Sequence, residues 1–186
     1  MPNIFIFHGR HGAIKPIWFP WLKGELEEIG CTVFFPRFPV GEELTLQNWM
    51  GVFKQFEKYV DEDTVFVGHS VGATFTLRLL ENLNKKIKAA FLVSCFVTGA
   101  PSVSGLSSFY EKEFDWDKIR KNCEYFYQIH SDNDPYVSLD MAEKVSKPLG
   151  ITLTVIEGGG HFNEKSGYDT QFPQLLDMIE DVLTDL

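Results

Sequence analysis

The chain has 186 residues and a formal net charge of −9 at pH 7; 44% of its residues are hydrophobic and 15% are aromatic. This length predicts one compact domain over residues 1–186, the apolar content excludes a disordered chain, and no apolar run approaches the roughly 20 residues of a membrane helix. The negative charge repels phosphate and so disfavours nucleic acid and membranes, which leaves small molecules or neutral partners, and no protein partner is indicated.

Six apolar runs of strand length follow one another along the chain, and each is followed by turn-forming residues. The runs are continuous rather than alternating, which is typical of strands that are covered on both faces. The predicted strands are Ile4–Phe7, Thr32–Phe35, Thr64–Val67, Ala89–Val93, Tyr125–Ile129 and Thr152–Ile156.

Helical patterns fill the intervals between these strands. Their apolar residues recur at spacings of three and four, and the third pattern is apolar almost all round, so we expect that helix to be buried. The apolar stripes are Trp18–Ile29 with Gly30 as the stop, Leu46–Val60, Val71–Leu83 and Phe172–Leu183. The alternation of strand and helix predicts an α/β fold with a parallel sheet, right-handed crossovers and helices on both faces.

The connection over residues 94–123 is the longest irregular segment, and two interpretations of it stay open. Long connections in compact domains often form lids over functional sites, whereas a loop with a short helix near residues 116–121 fits equally well. Phe109 and Trp116 either line an apolar substrate pocket or pack this segment onto the sheet. We take Phe109, Trp116 and, from the first loop, His11 as candidate substrate-binding residues.

The sharpest motif is Gly68-His69-Ser70-Val71-Gly72, which stands directly between a predicted strand and the predicted buried helix. This is the G-x-S-x-G pattern of a nucleophile elbow, a turn so tight that glycines are needed on either side of the serine. The alternative is a glycine-rich turn with a capping serine, which the strand-turn-helix setting disfavours. We therefore predict that Ser70 is a nucleophile at a helix N-terminus, where the dipole favours a developing anion.

A serine nucleophile needs a base and a group that orients the base, and in such a fold both follow later in the chain. His161 comes after the last predicted strand and three glycines, which give its loop the freedom to reach Ser70. Asp132 and Asp134 both follow the fifth strand, where the acid is expected. We favour Asp134 because Pro135 behind it fixes the turn that opens the next helix, and we assign Asp132 to bonds with nearby backbone amides.

Two backbone amides are candidates for an oxyanion hole. One belongs to Val71, the residue after the nucleophile, and the other to Arg10 in the loop after the first strand. An ordinary glycine turn is the alternative for that loop, and we interpret the Arg10 side chain as solvated. The remaining histidines have no third ligand at a recognisable spacing, so we expect no metal and no cofactor.

The cysteines and the first residues bear on location. The chain has three cysteines, far apart in sequence, which fits buried thiols in a reducing compartment rather than disulfides or a zinc site. The first residues carry no basic stretch and no cleavage-like site. We therefore expect no secretory signal and a cytoplasmic location.

Several stretches together carry a family resemblance that runs nearly end to end. They are Trp18-Phe19-Pro20-Trp21-Leu22, Gly68-His69-Ser70-Val71-Gly72-Ala73, Trp116-Asp117-Lys118-Ile119-Arg120-Lys121-Asn122-Cys123, Asp132-Asn133-Asp134-Pro135 and Gly160-His161-Phe162. With them the chain resembles the small serine hydrolases grouped with retinoblastoma-binding protein 9 and the YdeN-like proteins, within the α/β-hydrolase superfamily. The resemblance implies a triad of Ser70, Asp134 and His161 in a compact fold that lacks the first two strands of larger hydrolases. The chain departs from the family in residues 8–12, where relatives often have a proline-glycine-asparagine loop.

These features together predict a minimal α/β-hydrolase fold, a three-layer sandwich whose six-stranded parallel sheet has the order 2-1-3-4-5-6. The predicted activity is that of a carboxylesterase-like serine hydrolase, which acts on an ester, amide or thioester of a small molecule. The alternative is a catalytically weak hydrolase-fold protein that acts as a protein-binding module, because fold does not dictate function.

Overall fold

The computed structural model describes residues 1–12, 17–99, 106–168 and 170–184. Six strands form one sheet in the order β2-β1-β3-β4-β5-β6, which confirms the predicted order. The strands are β1 (Asn3–Phe7), β2 (Thr32–Phe34), β3 (Val65–His69), β4 (Ile87–Val93), β5 (Cys123–Ser131) and β6 (Leu153–Ile156). All neighbouring pairs are parallel, so the C-terminal ends of the strands lie at one edge of the sheet.

Helices cover both faces of this sheet. They are α1 (Phe19–Glu28), α2 (Leu46–Phe53), α3 (Val71–Asn82), α4 (Trp116–Lys121), α5 (Leu139–Leu149) and α6 (Pro173–Thr184). Helices α1 and α6 bury apolar residues against one face, and α2 to α5 against the other, which confirms the three-layer α/β architecture. In the described part of the chain, no helix has the length and apolar character needed to cross a membrane.

Strand β1 shows why the strands appear in the sequence as continuous apolar runs. Phe5 and Phe7 belong to the core on the α3 side of the sheet and Ile4 and Ile6 to the core on the α1 side, and all four are fully buried. Phe7 meets the Phe75 ring of α3 edge to face, with 5.6 Å between the ring centroids. Because side chains alternate between faces, a strand with helices on both sides needs an apolar residue at every position.

The second predicted helix is shorter than its apolar stripe. Helix α2 ends at Phe53, and a 3-10 turn follows at Glu57–Tyr59. The N–H of Phe56 bonds to the Phe53 carbonyl, three residues back, which ends the α-helical ladder. The tighter turn lets Phe56 pack on Phe34 of β2, with ring centroids 6.1 Å apart. The stripe that reaches Val60 therefore belongs to two elements rather than to one helix.

The described part of the long connection after β4 is anchored on α3. Phe109 is fully buried, and its carbonyl accepts a hydrogen bond from Arg78 Nε at 2.8 Å. The Arg78 guanidinium lies 3.5 Å from the centre of the Phe114 ring, and Trp116 stacks on that ring at the start of α4. The prediction that Phe109 and Trp116 line a substrate pocket is therefore wrong, because both pack this segment onto the core. Residues 100–105, which the lid interpretation includes, lie outside the described residues.

Candidate active site

Residues 68–72, here called the elbow, connect β3 to α3 at the C-terminal edge of the sheet. Ser70 has φ 57° and ψ −122°, a conformation that non-glycine residues rarely adopt and that the surrounding structure must hold. A Cβ at Gly68 would lie 2.6 Å from backbone atoms of α3, and one at Gly72 would lie 2.2 Å from the Phe7 carbonyl oxygen. Both glycines are required for this close approach, which leaves Ser70 at the N-terminus of α3.

Asp134 and His161 come from two different loops and meet at this edge. Asp134 Oδ2 lies 2.7 Å from His161 Nδ1, and the Asp134 side chain is fully buried. The other carboxylate oxygen accepts hydrogen bonds from the N–H groups of Tyr136 at 2.9 Å and Val137 at 3.1 Å. Of the two candidate carboxylates it is Asp134 that contacts the histidine. When His161 Nδ1 carries the proton and donates it in a hydrogen bond to this carboxylate, Nε2 is the nitrogen that is able to accept a proton.

The pKa of Asp134 reflects opposing effects. Burial raises this pKa, whereas the hydrogen bond and charge of His161 and the N–H groups of Tyr136 and Val137 together lower it by more. The net result is a pKa below the ordinary value of a carboxyl group. Asp134 is therefore ionised at neutral pH and can stabilise an imidazolium beside it.

Residues 157–162, here called the histidine loop, are held by the loop that follows β5. Asp132 Oδ1 accepts a hydrogen bond from the N–H of Gly158 at 2.8 Å, and Asn133 Oδ1 accepts one from the N–H of Gly160 at 2.7 Å. Asp132 was predicted to bond to nearby backbone amides. It does accept a bond from a backbone amide, but that amide lies 26 residues further along the chain, so the prediction is wrong about the partner. These two side chains fix the histidine loop from one side.

His69 and Trp18 hold the histidine loop from the other side. His69 Nε2 donates to the carbonyl of His161 at 2.9 Å, and Trp18 Nε1 donates to the carbonyl of Phe162 at 3.1 Å. Burial lowers the pKa of His69 to about 3, so its ring is neutral at physiological pH. The elbow is thus connected directly to the backbone of the histidine loop through an uncharged donor.

Ser94 and Tyr136 contact the Asp134–His161 pair, and the sequence analysis missed both. Ser94 follows β4, is fully buried, and donates its hydroxyl to Asp134 Oδ2 at 3.0 Å. The Tyr136 ring meets the His161 ring edge on, with 5.0 Å between the centroids. The position of Ser94 in the sheet could have identified it. Strand β4 lies between β3, which leads to Ser70, and β5, which leads to Asp134, so a residue that follows β4 lies near both.

A cavity of about 250 Å³ lies at this edge, and Ser70 and His161 both line it. Gly9 passes close to the serine, since a Cβ at Gly9 would lie 3.5 Å from Ser70 Cβ. Arg10 and the candidate substrate-binding residue His11 also line the cavity. Its buried apolar lining residues are Ile17, Phe19, Phe96, Leu106 and Val137.

Two further buried histidines are occupied by backbone bonds. His8 Nδ1 donates to the Gly9 carbonyl at 2.7 Å, and its Nε2 accepts the N–H of Phe38 at 3.0 Å. His130 Nε2 donates to the Val137 carbonyl at 2.8 Å. Burial lowers the pKa of both His8 and His130, so both rings are neutral. Within the described ranges, no group of three or more histidine, cysteine or acidic side chains is arranged to hold a metal ion.

Known proteins match this chain over nearly its whole length. A family model described as serine hydrolase matches residues 4–181. The chain is 29% identical over 184 residues to the putative hydrolase YdeN of Bacillus subtilis (strain 168), which covers 98% of this chain and 94% of that protein. It is 27% identical over 169 residues to the serine hydrolase RBBP9 of Rattus norvegicus, and this match covers 90% of this chain and 87% of that protein. The crystal structure of the B. subtilis ydeN gene product matches with a TM-score of 0.90 and 25% identity, over 99% of this chain and 100% of that chain. These matches confirm the resemblance that the motifs indicated.

Proposed function

This chain belongs to the serine hydrolase family, and from that premise we propose that it cleaves carboxylic esters through Ser70, His161 and Asp134. The observation that carries the proposal is the 2.7 Å contact between Asp134 Oδ2 and His161 Nδ1, beside a cavity that Ser70 and His161 both line. A histidine oriented by a carboxylate, lining the same cavity as a strained serine, supports nucleophilic acyl transfer.

The first half of the reaction forms an acyl-enzyme. His161 Nε2 takes the hydroxyl proton while Ser70 Oγ attacks the ester carbonyl carbon, and the carbonyl oxygen becomes an oxyanion. The N–H of Val71 lies in the first turn of α3, where amides lack an intrahelical acceptor, and together with the N–H of Arg10 it stabilises this charge. The carbon–oxygen bond of the ester then breaks, and the imidazolium protonates the leaving alcohol.

The second half of the reaction regenerates the serine. His161 takes a proton from water, which attacks the acyl carbonyl, and the imidazolium returns that proton to Ser70 Oγ as the acid leaves. Asp134 keeps its charge in both halves and holds the imidazole in the tautomer whose Nε2 accepts protons. Its lowered pKa supports this role over the whole neutral range.

The size of the cavity and the apolar part of its lining support a short acyl group as the preferred substrate. Its volume of about 250 Å³ lies just below the range of about 300–1,000 Å³ that is usual for sites of drug-sized ligands. Its lining includes buried apolar residues, Phe96 and Leu106 among them, that an acyl chain would meet. Amides and thioesters follow the same chemistry, so we include them as arms of the substrate test.

We also propose that the protein works in the cytoplasm. Cys31, Cys95 and Cys123 are buried free thiols, which is usual in a reducing compartment. Burial raises the pKa of Cys95 and Cys123, which keeps both thiols protonated and unreactive. Fractionation of the source cells, with detection of the native protein, tests this location.

A fluorophosphonate probe tests the nucleophile, because the probe bonds covalently to activated serines. Wild type should be labelled at Ser70 and Ser70→Ala should not be labelled, as peptide mass spectrometry will show. Ser107→Ala is the matched control, since Ser107 does not line the cavity, and it should be labelled like wild type. Labelling at another residue, or none in wild type, contradicts the proposal.

A substrate panel tests the bond and the acyl length. We expect kcat/KM to be highest for short p-nitrophenyl esters, to fall with chain length, and to be lower for matched thioesters and aminoacyl amides. Phe96→Ala shortens a side chain in the apolar wall and so enlarges the cavity, which should move the optimum of kcat/KM to longer acyl chains. The binding-module alternative instead predicts no turnover of any member of the panel by wild type.

A further inference from the structure

Ser94 occupies a position on β4 that parallels the position of Ser70 on β3. Each serine directly follows its strand, and each has a positive φ, 57° for Ser70 and 49° for Ser94. The two turns adjoin, because the N–H of Ser70 donates to the carbonyl of Val93 at 2.8 Å. Ser94 is fully buried and cannot touch a substrate, so a strained conformation at this residue indicates a role through a neighbour.

The neighbour is Asp134, whose two oxygens are held by different groups. Oδ1 accepts the N–H groups of Tyr136 and Val137, which belong to the same loop as Asp134. Oδ2 accepts the hydroxyl of Ser94 at 3.0 Å and the Nδ1–H of His161 at 2.7 Å. If Ser94 lost its hydroxyl, Oδ1 would still fix the carboxylate, and only the charge on Oδ2 would change.

We propose that Ser94 is a positioning residue that acts through Asp134 and sets the proton affinity of the His161 ring by sharing Oδ2 with it. A hydroxyl donated to Oδ2 withdraws negative charge from it, which weakens its stabilisation of an imidazolium. Without the hydroxyl, Oδ2 interacts with His161 alone, and the ring should hold its proton up to a higher pH. The consequence for catalysis rests on the proposed function, whereas the titration of the ring does not.

The other titratable groups around Asp134 cannot replace Ser94 in this role. His130 Nε2 lies 3.9 Å from Oδ2, but its proton is donated to a backbone carbonyl and burial keeps the ring neutral. His69 is neutral too and donates to the carbonyl of His161. Asp132 lies on the same loop and is directed at the N–H of Gly158.

Histidine NMR tests the proposal without any need for activity. The imidazole signals of wild type, Ser94→Ala and Ser94→Gly would be followed from pH 4 to 9, with the His161 signal assigned by its loss in His161→Gln. Both variants lack the hydroxyl, but glycine tolerates the positive φ that strains alanine, so the pair separates the hydroxyl from the backbone. We expect the pH of half-protonation of His161 to rise by about half a unit to one unit in both variants.

Kinetics give the second measurement, on the ester that wild type hydrolyses best. The acid limb of kcat/KM should move to higher pH in both variants by the same amount as the ring titration, with KM within about twofold of wild type. Ser146→Ala, which removes a buried hydroxyl in α5 that bonds to the Glu143 carbonyl, is the control and should leave both midpoints unchanged.

Three results would overturn the role of Ser94: an unmoved midpoint in both variants, a midpoint at lower pH, or a shift in Ser94→Ala alone. If Ser94→Ala does not fold, Ser94→Gly decides by itself. Absence of turnover and of probe labelling in wild type would reject the proposed function, while the ring titration still decides for or against Ser94.

Discussion

The elbow and the histidine loop bring two parts of the candidate triad to the same edge by different physical means. The elbow is fixed by the exclusion of side chains, since a Cβ at Gly68 or Gly72 would overlap backbone atoms. The histidine loop is fixed by polar side chains from distant parts of the chain, among them Asp132, Asn133 and His69.

This difference predicts two kinds of response to substitution. A steric constraint made of backbone atoms cannot be relieved by rotating a side chain and does not depend on pH. Hydrogen bonds each contribute about 0.5–1.5 kcal/mol, and several of them share the same loop. We therefore expect all-or-none effects in the elbow and graded, partly pH-dependent effects in the histidine loop.

The largest expected effect is that of Gly72→Ala. Its Cβ would lie 2.2 Å from the Phe7 carbonyl oxygen, so α3 would have to move away from β1. We expect a loss of about 3 kcal/mol or more in the free energy of unfolding, or no folded protein at all, as measured by urea denaturation. Gly51→Ala is the control, because its Cβ meets nothing within 4 Å and alanine favours the helix by about 0.5–1 kcal/mol. Equal stability of Gly72→Ala and wild type would show that the elbow is not sterically fixed.

The substitutions Asp134→Asn and Asp132→Asn distinguish the proposed acid of the triad, Asp134, from Asp132, which holds the histidine loop. Asp134→Asn replaces the carboxylate on His161 Nδ1 and should lower kcat by about 10⁴-fold, because the wrong tautomer is then favoured. Asp132→Asn keeps an oxygen for the N–H of Gly158 and should change kcat by less than about threefold. Steady-state rates on one ester are sufficient, and the reverse order of the two losses would move the acid to Asp132.

The contribution of His69 to stability should depend on pH. Its pKa is lowered to about 3 in the folded protein, so between that value and about 6.5 only the unfolded chain binds a proton at this residue, and stability falls as pH falls. Between pH 7 and pH 5 this effect should cost about 2 kcal/mol. His69→Gln keeps an N–H donor without titrating, and we expect urea denaturation to show a pH dependence reduced by that amount. An unchanged dependence would mean that the ring is not buried as a neutral donor.

The smallest effect that we expect is that of Asn133→Ala. It removes the acceptor for the N–H of Gly160, one of several bonds on the histidine loop, and should cost about 1 kcal/mol of stability. Because the loop carries His161, kcat should also fall by severalfold while KM stays the same. Asn133→Asp keeps the acceptor and serves as the control for stability at pH 7. A loss as large as that of Gly72→Ala would remove the distinction between the two regions.

Much of the fold was predictable because local patterns and tertiary structure demand the same residues. In β1 both faces are covered, so apolar residues stand at every position and indicate a parallel sheet. The elbow was predictable for a similar reason, since Gly68 and Gly72 are required by a single local turn. The end of α2 at Phe53 was not, because apolar spacing continues through the 3-10 turn that follows.

The residues whose roles could not be predicted from the sequence depend on contacts between distant segments. A serine after a strand is common, and only the sheet order brings Ser94 to Asp134, 40 residues further along the chain. Asp132 shows the same difficulty, because its amide partner Gly158 is remote in sequence. The prediction for Phe109 was wrong for another reason. The presence of an aromatic residue in a long connection does not indicate whether its ring faces a cavity or the core.

Trp18 gives the protein an intrinsic optical reporter of the histidine loop. Its indole is fully buried and is hydrogen-bonded to the carbonyl of Phe162, one residue from His161. Indole emission responds to the loss of such a bond, so a displacement of that backbone during turnover would change the fluorescence without any added dye. Stopped-flow emission of wild type against Trp18→Phe would then time the movement of the histidine loop directly.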